Sequence, residues 1–361
     1  MSGVNRSKKV LIIRVRAWNK ENILPQRIDT VMNLLKKNVS LKFFDIQPER
    51  KLGYYLGYLF SFLSAYPKLL FTSCDSIILE NPYLVIFAPL FWLRRKKIVA
   101  EYVDYYPANL NRLKNERFFR YQVAKIICRI FHNFVTVITT ESETGKRTLH
   151  HWGVPTKKLQ ILPVGINTQK MLFSQEKRQQ IRKRYQLSDN SLVIGYLGKM
   201  VKFYSIENIL LAVSKLPSDK KDFKLLFVGD GPYREELEKL SKKLQLNIIF
   251  TGNVPHDEVY SYYSAMDIFV FPLNSLAIKI AEILSLGGPL LIVSKGMPED
   301  WIVDGVNGLV SNSHPSAIQK TILKYLELSL SQKHEIISAQ QKFARSNLDR
   351  TIVARKYLEL V

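Results

Sequence analysis

Short apolar runs alternate with longer polar or amphipathic segments along most of the chain. In the first part these runs are typical of buried β-strands and lie at residues 9–15, 40–46, 76–80, 96–103, 134–140 and 159–163. In the second part the same pattern lies at residues 192–198, 223–229, 247–252, 268–272 and 289–293. Because helix-like or loop segments separate nearly all of these runs, the pattern predicts an α/β protein with parallel strands and crossover helices.

A polar, basic segment at residues 167–191 interrupts the strand pattern and indicates a boundary between two α/β units. After Val310 the pattern is helical to the end of the sequence. We therefore predict an N-terminal domain over residues 1–165, a C-terminal domain over residues 166–340 and a segment over residues 341–361 that returns to the first domain. With 361 residues, 47% of them hydrophobic, the chain is long enough for two packed cores.

The basic residues are distributed unevenly. The formal net charge is +22, and residues 1–165 carry +16 of it, from 27 Lys and Arg against 11 Asp and Glu. Such an excess is typical of a protein that binds a polyanionic surface, either nucleic acid or anionic lipid, although a solvated basic face has the same composition.

Three segments of the first part favour lipid. Residues 54–71 and 83–99 are rich in aromatic and aliphatic side chains, and residues 117–138 place basic side chains among apolar ones, as in an amphipathic basic helix. Four basic residues lie together in the second of these segments, namely Arg94, Arg95, Lys96 and Lys97. The apolar runs are too short or too interrupted to span a bilayer, so they either enter the membrane interface or form part of an ordinary core. No nucleic-acid-binding motif accompanies the charge, and we expect no nucleic-acid partner.

The two cysteines and the first residues indicate the compartment. Cys74 and Cys128 have no metal-ligand spacing, and the first apolar run is too short for a secretory leader with a cleavage site. We therefore expect a cytoplasmic protein without a disulfide framework and without a bound metal.

Candidate binding residues lie just after the strand-like runs, because parallel α/β sheets bind ligands at the carboxyl ends of their strands. Gly198 ends the run at residues 192–198, and Lys199 and Lys202 follow it. Neither a dinucleotide-binding G-x-G-x-x-G nor a P-loop is present in the sequence.

The second part resembles a known family. The series "VIGYLGKM", "LLFVGDGPYREELEKL", "IIFTGNVPHDEVYSYYSAMDIFVFP" and "AEILSLGGPLLIV" is similar in order and spacing to the C-terminal domain of retaining glycosyltransferases of family 4, which have the GT-B fold. The resemblance implies two Rossmann-like domains facing across a cleft, with C-terminal helices that cross back to the first. It also implies a nucleotide-sugar donor in the C-terminal domain, an acceptor in the N-terminal domain, and transfer with retained anomeric configuration and no metal cofactor.

The resemblance also assigns residues. Glu282 matches the second glutamate of the family's E-x7-E motif, which accepts hydrogen bonds from the donor ribose, and Lys199 stands where the family often has an arginine beside the diphosphate. The backbone near Val254 would flank the base, and Asp104 would face the reacting sugar as the catalytic residue. The expected donor-binding set is Gly198, Lys199, Lys202, Val254, Asn274, Lys279 and Glu282.

Several positions depart from the family pattern. Asn274 stands in place of the first glutamate of E-x7-E, and Tyr204 stands where a lysine is usual, so that Lys202 is its natural substitute. Lys279 is either a phosphate ligand or a solvated helix residue. In the first part, Arg14 and Arg16 replace a glycine-rich loop and are assigned to an acceptor phosphate.

The sequence thus predicts a retaining glycosyltransferase that works at the cytoplasmic face of a membrane on a lipid-linked acceptor. Its basic N-terminal part, including Arg94 to Lys97, would contact anionic lipid. The alternative is a catalytically silent protein of the same fold that acts as a scaffold for another enzyme, because Asn274 and Tyr204 depart from the family.

Overall fold

The computed structural model describes residues 8–15, 27–47, 53–102, 115–217, 222–272, 277–294 and 301–361. The chain divides into two compact units. The first comprises Met1–Gly165 together with Arg350–Val361, and the second comprises Ile166–Asp349. Each unit contains a six-stranded sheet in which all described neighbours are parallel.

The sheet of the first unit has the order β2-β1-β3-β4-β5-β6. Its strands are β1 (Lys9–Val15), β2 (Ser40–Ile46), β3 (Ser76–Leu79), β4 (Lys97–Tyr102), β5 (Val137–Thr140) and β6 (Leu159–Ile161). The helices that precede the second unit are α1 (Arg27–Leu35), α2 (Gly53–Leu70), α3 (Ala88–Leu93), α4 (Asn115–Phe131) and α5 (Glu143–His151). The six predicted strands of this part are confirmed.

Helices cover this sheet on both faces. Val10 and Ile12 of β1 belong to the same buried cluster as residues of α1, whereas Leu11 and Ile13 pack in the cluster that includes residues of α2, α3 and α4. Successive side chains of a strand point to opposite faces, so a strand buried on both faces is apolar throughout. This accounts for the continuous apolar runs of the sequence.

The sheet of the second unit has the order β12-β11-β10-β7-β8-β9. Its strands are β7 (Leu192–Leu197), β8 (Phe223–Val228), β9 (Ile248–Phe250), β10 (Ile268–Phe271), β11 (Leu290–Ser294) and β12 (Leu309–Ser311). Its helices are α6 (Gln175–Arg184), α7 (Glu207–Val213), α8 (Arg234–Lys243), α9 (Val259–Ala265), α10 (Ala277–Leu286), α11 (Pro315–Glu327) and α12 (Leu330–Asn347). The five predicted strands are confirmed, and β12 was not predicted because its apolar run, Leu309 and Val310, is only two residues long.

The polar segment at residues 167–191 contains α6, an integral helix of the second unit. Arg178 and Arg182 of α6 form ion pairs of 2.6 and 2.7 Å with the carboxylate of Asp267, and Val193 donates its backbone N–H to the same carboxylate. The basic residues of this segment therefore fix α6 to the start of β10.

The segment that joins the first unit is shorter than the predicted 341–361. Residues 341–349 belong to the second unit, because α12 continues to Asn347 and the Gln341 side chain donates to the Leu286 carbonyl oxygen at 3.2 Å. Only Arg350–Val361, which forms helix α13 (Arg350–Leu360), joins the first unit. There the hydroxyl of Tyr357 donates a hydrogen bond to the buried carboxylate of Glu101.

None of the helices in the described ranges is both long enough and apolar enough to cross a membrane. Nor do the described ranges bring three or more His, Cys, Asp or Glu side chains together as a group that could hold a metal ion.

Candidate functional site

The strand order of the second sheet identifies one edge as the place for a ligand. β7 and β10 are neighbours, and the chain runs outward from β7 to β8 and from β10 to β11. Crossover connections therefore leave to opposite sides at this point, which opens a crevice at the carboxyl ends of the two strands. Gly198 and Lys199 follow β7, and Pro272 follows β10.

The turn after β7 packs directly on the turn after β8. Met200 donates its N–H to the Asp230 carbonyl oxygen at 2.9 Å, and Gly198 donates to that of Val228 at 2.9 Å. A Cβ atom on Gly229 would lie 2.2 Å from the Gly198 carbonyl oxygen, and one on Gly231 would lie 2.2 Å from that of Met200. The two turns are thus in backbone contact, which only glycine at positions 229 and 231 allows.

Lys199 and Lys202, the predicted diphosphate ligands, are both exposed beside this contact. Tyr196 donates its hydroxyl to the Lys199 carbonyl oxygen at 3.1 Å, which fixes the turn that carries Lys199. Lys202 begins a short 3-10 helix over Lys202–Tyr204, and Ser205 ends it in the left-handed conformation with φ of 50°. Ser205 thus adopts a backbone conformation that usually favours glycine.

Glu282 lies in the middle of α10 and is almost completely buried, with 3% of its surface exposed. Three side chains surround its carboxylate: Tyr263 at 3.4 Å, His256 at 3.8 Å and Lys279 at 3.9 Å. Burial raises the pKa of Glu282 above its usual value, and Lys279, His256 and Tyr263 oppose that shift. Glu282 is therefore a carboxylate that the fold holds in a costly, desolvated position.

Tyr263 is the buried neighbour that orients Glu282. It lies on α9, is fully buried, and donates its hydroxyl to Glu282 Oε2. Burial raises the pKa of Tyr263 well above its usual value, and the neighbouring Glu282 adds to the shift, so the phenol stays protonated and able to donate. The sequence showed a helix rich in tyrosine but not which tyrosine faces the carboxylate.

His256 places the loop that contains Val254 close to Glu282. It lies in the loop after β9, two residues beyond Val254, and its ring is exposed although Nε2 lies 3.8 Å from Glu282 Oε1. Gly229 donates its N–H to the Gly252 carbonyl oxygen at 2.9 Å, which joins this loop to the turn after β8. The structure therefore brings together the turn after β8, the loop after β9 that contains Val254, and Glu282. Neither His256 nor Tyr263 was identified from the sequence.

Comparison with known proteins identifies the second unit. Residues 177–343 match the model of the family described as glycosyl transferases group 1. The second unit contains a domain of that family.

Curated relatives of this glycosyltransferase domain include enzymes named for lipid substrates. The GDP-mannose-dependent alpha-(1-6)-phosphatidylinositol monomannoside mannosyltransferase of Mycolicibacterium smegmatis is 27% identical over 200 residues, which cover 52% of this chain and 52% of that protein. The alpha-monoglucosyldiacylglycerol synthase of Streptococcus pneumoniae is 23% identical over 215 residues, or 57% of this chain and 48% of that protein. The chain thus spans about half the length of these two relatives.

Solved structures match over nearly the whole chain. Anabaena Alr3699/HepE in complex with UDP aligns with a TM-score of 0.77 and 16% identity, covering 98% of this chain and 99% of that one. A glycosyltransferase from Rickettsia africae aligns with a TM-score of 0.75 and 15% identity, covering 98% of this chain and 97% of that one. The chain has the GT-B fold that the resemblance implied.

Three of the predicted site residues have no described position. Asp104, Asn274 and Arg16 lie outside the described residues. Lys279 has only 19% of its side chain exposed and lies 3.9 Å from Glu282, so it is not an ordinary solvated helix residue.

Arg14, predicted to bind an acceptor phosphate, already has an acidic partner in the first unit. Its Nε lies 2.5 Å from Asp45 Oδ1, and its guanidinium lies 4.3 Å from the centre of the Phe43 ring. A phosphate at Arg14 would therefore compete with Asp45.

The four basic residues at 94–97 do not form one exposed patch. Arg94 points inward, where Nη2 donates to the Thr72 carbonyl oxygen at 2.7 Å and Nη1 to that of Leu69 at 3.3 Å. Lys97 donates to the Glu359 carbonyl oxygen at 3.2 Å. Lys96 is half-buried, whereas Arg95 is exposed. Arg94 joins the end of α2 to the end of α3, because the last carbonyl groups of a helix need donors from outside it.

Proposed function

We propose that this chain is a retaining glycosyltransferase that transfers a sugar from a nucleotide-sugar donor to a lipid-linked or membrane-associated acceptor. The observation that carries the proposal is the buried Glu282 carboxylate, held by Tyr263 beside the Val254 loop in a group 1 glycosyltransferase domain. A desolvated carboxylate is costly, so its retention is best explained by a ligand whose hydroxyl groups it binds.

The residues fit a nucleoside diphosphate. In the proposal, Glu282 accepts hydrogen bonds from the ribose hydroxyls. Lys199 and Lys202 lie at the exposed turn, where they would stabilise the negative charge that develops on the diphosphate as it leaves. Lys279 adds a third positive charge next to Glu282. Because these lysines can stabilise the leaving group, we propose that no metal is required. Activity that EDTA abolishes and Mg²⁺ restores would refute this part.

The acceptor and the location are also part of the proposal. The names of the two curated relatives refer to phosphatidylinositol monomannoside and to diacylglycerol, which supports a lipid acceptor. We propose peripheral association with the cytoplasmic face of a membrane and no nucleic-acid partner, with Asp104 facing the reacting sugar. A gel shift with duplex DNA or RNA at physiological salt would contradict the absence of a nucleic-acid partner.

Calorimetry with uridine, guanosine and adenosine diphosphates tests the proposal. We expect one of these nucleotides to bind, and the corresponding nucleotide-sugar to label a lipid extract, with the anomeric configuration of the product matching that of the donor by NMR. Binding of none of the three nucleotides would favour the scaffold alternative, which Tyr204 at the usual lysine position supports. An inverted product would refute the retaining mechanism.

A further inference from the structure

Exposed apolar side chains are concentrated on one helical layer of the first unit. Of the thirteen large apolar residues that are exposed in the described ranges, nine lie on α2, α3 and α4 or directly after α2. The most exposed members are Phe71 at 84%, Leu93 at 74% and Leu63 at 61%. Monomeric soluble proteins rarely leave so many large apolar groups together in water, and such patches mark interaction sites.

The exposed residues form one surface because the three helices are joined. Arg94 ties the end of α2 to the end of α3, and Tyr66 of α2 donates its hydroxyl to the Ile86 carbonyl oxygen at 2.6 Å, just before α3. Trp92 of α3 contacts Phe134, three residues beyond α4, with ring centres 5.4 Å apart. We call the exposed side of these helices the α2–α4 surface, defined by Phe60, Leu63, Phe71, Trp92, Leu93 and Ile130.

Basic residues outnumber acidic ones along the segments that carry this surface. Residues 53–74, 82–100 and 117–138 contain nine Lys and Arg residues and no Asp or Glu, and the acidic residues nearest to them in the sequence are Asp75, Glu101 and Glu116. Among the described basic residues, Lys68, Arg95 and Arg129 are exposed. Aromatic and aliphatic side chains bordered mainly by cations match an anionic bilayer, whose interface accepts the apolar groups and whose headgroups attract the cations.

We propose that the α2–α4 surface docks the protein on anionic lipid, with Phe71 and Leu93 entering the interfacial region and Lys68, Arg95 and Arg129 lying at the headgroups. This inference deepens the proposed function, because it assigns the membrane contact to a defined surface. It also revises the predicted contact, since Arg94 and Lys97 are engaged with backbone carbonyl groups of the protein.

Cosedimentation of the full chain with vesicles tests the proposal. The vesicles contain phosphatidylcholine alone or phosphatidylcholine and phosphatidylglycerol in equal parts. We expect binding to the anionic vesicles, weakened by salt, and little binding to the neutral ones. Equal binding to both vesicle types would overturn the proposal, and so would the absence of binding to either.

Matched variants locate the surface. We expect the double variant Phe71→Ser, Leu93→Ser to lose at least about tenfold in the partition coefficient, because two large side chains would no longer enter the interface. The control is Leu330→Ser, which changes a side chain that is 75% exposed in the second unit. A double variant that sediments like this control would contradict the proposed surface.

Charge variants test the other half of the surface. Lys68→Gln and Arg129→Gln should each lower binding to anionic vesicles about fivefold, corresponding to about 1 kcal/mol for each basic residue near the membrane. Lys243→Gln, at an exposed position of α8, is the control. Equal losses in all three variants would mean that net charge alone drives binding and would overturn the surface.

Two further measurements separate this proposal from others. Nucleotide affinity of the Phe71→Ser, Leu93→Ser variant should equal that of the unaltered chain, since both residues lie in the first unit. If the unaltered chain binds vesicles but no nucleotide, the proposed function fails and the docking surface stands. If ultracentrifugation shows a dimer that this variant loses while vesicle binding is unchanged, the surface is a protein interface and the docking proposal fails.

Discussion

Glu282 is a residue whose charge is unfavourable for folding. Because burial raises its pKa in the folded state, folding favours the protonated form. Its contribution to stability is fully present below the pKa of the unfolded chain and is lost as the pH rises through the raised folded pKa. At neutral pH the carboxylate therefore lowers the stability of the ligand-free protein.

Replacing Glu282 with Gln should separate stability from binding. At neutral pH we expect a higher melting temperature without nucleotide, because Gln keeps the shape and removes the buried charge. Nucleotide affinity should fall about tenfold to a hundredfold, since hydrogen bonds to a charged group contribute about 1.5–3 kcal/mol. Calorimetry and thermal unfolding check both effects, and an unchanged affinity would refute the ribose assignment. The stability gain should vanish in acid, where the native side chain is also neutral.

Tyr263→Phe should change the pH dependence of binding. The hydrogen bond from Tyr263 is one of the interactions that lower the pKa of Glu282, so its removal should raise that pKa further. If nucleotides bind the charged carboxylate, affinity should then be lost at a higher pH as the solution is acidified. The control is Tyr262→Phe, whose hydroxyl lies 3.4 Å from that of Tyr185 instead. Identical pH profiles for the two variants would contradict the orienting role of Tyr263.

The sequence assigns ligand-binding roles to Glu282 and Lys199 but singles out neither Tyr263 nor His256, and the difference has a physical reason. Glu282 and Lys199 lie in local motifs, so their positions follow from the order of residues. The contacts of Tyr263 and His256 with Glu282 depend on how α9 and the loop before it pack on α10, which no local pattern contains. Arg94 resembles an exposed charge in the sequence because its backbone partners, Leu69 and Thr72, lie more than twenty positions away.

Among the elements, the paired turns after β7 and β8 place the strongest constraint on the site. Gly231→Ala would put a Cβ 2.2 Å from the Met200 carbonyl oxygen, so the two turns must separate. We expect a loss of about 2 kcal/mol in the free energy of unfolding and weaker nucleotide binding. In the control, Gly305→Ala, the residue has φ of 76° but its Cβ would meet no atom within 4 Å, so only backbone strain is added. Chemical denaturation and calorimetry compare the two, and a Gly231→Ala variant with unaltered affinity would argue against the turns as a ligand site.

The link between α2 and α3 gives a second prediction at this scale. Arg94→Ala should lower the free energy of unfolding by about 1.5 kcal/mol, because the carbonyl groups of Leu69, near the end of α2, and Thr72, just beyond it, lose a charged donor. Arg95→Ala, at the neighbouring exposed position, should change it by less than about 0.5 kcal/mol. Urea denaturation measures both. Equal losses would mean that Arg94 acts only through the net charge.

The strands were easier to predict from the sequence than the role of residues 167–191 and the start of the C-terminal segment that joins the first unit. Buried parallel strands are apolar on both faces, so β3, β7 and β10 appear as continuous apolar runs, and eleven of the twelve described strands coincide with a predicted run. The short β12 has no such run. The sequence of α6 is polar and basic, like that of a linker. Its arginines have no acidic partner nearby in the sequence, because Asp267, with which they pair, lies far along the chain.

In the whole molecule, α13 connects the end of the sequence to the first unit. Tyr357→Ala should lower the stability of that unit by about 3–5 kcal/mol, the usual cost of removing a buried aromatic ring. Tyr357→Phe keeps the ring and removes the hydrogen bond to Glu101, so it should cost less. Calorimetric scanning should show the first unit melting earlier while nucleotide affinity is retained. A single unshifted transition in the Ala variant would contradict this division of the chain.

The placement of α13 also affects how the protein folds during synthesis. The first unit lacks its final helix until residues after Asp349 have left the ribosome, by which time all of the second unit has emerged. Nascent domains generally fold as units in the order in which they are made. In this protein the second unit can be completed before the first. Until α13 has been made, the apolar groups of the first unit that it covers stay exposed to water.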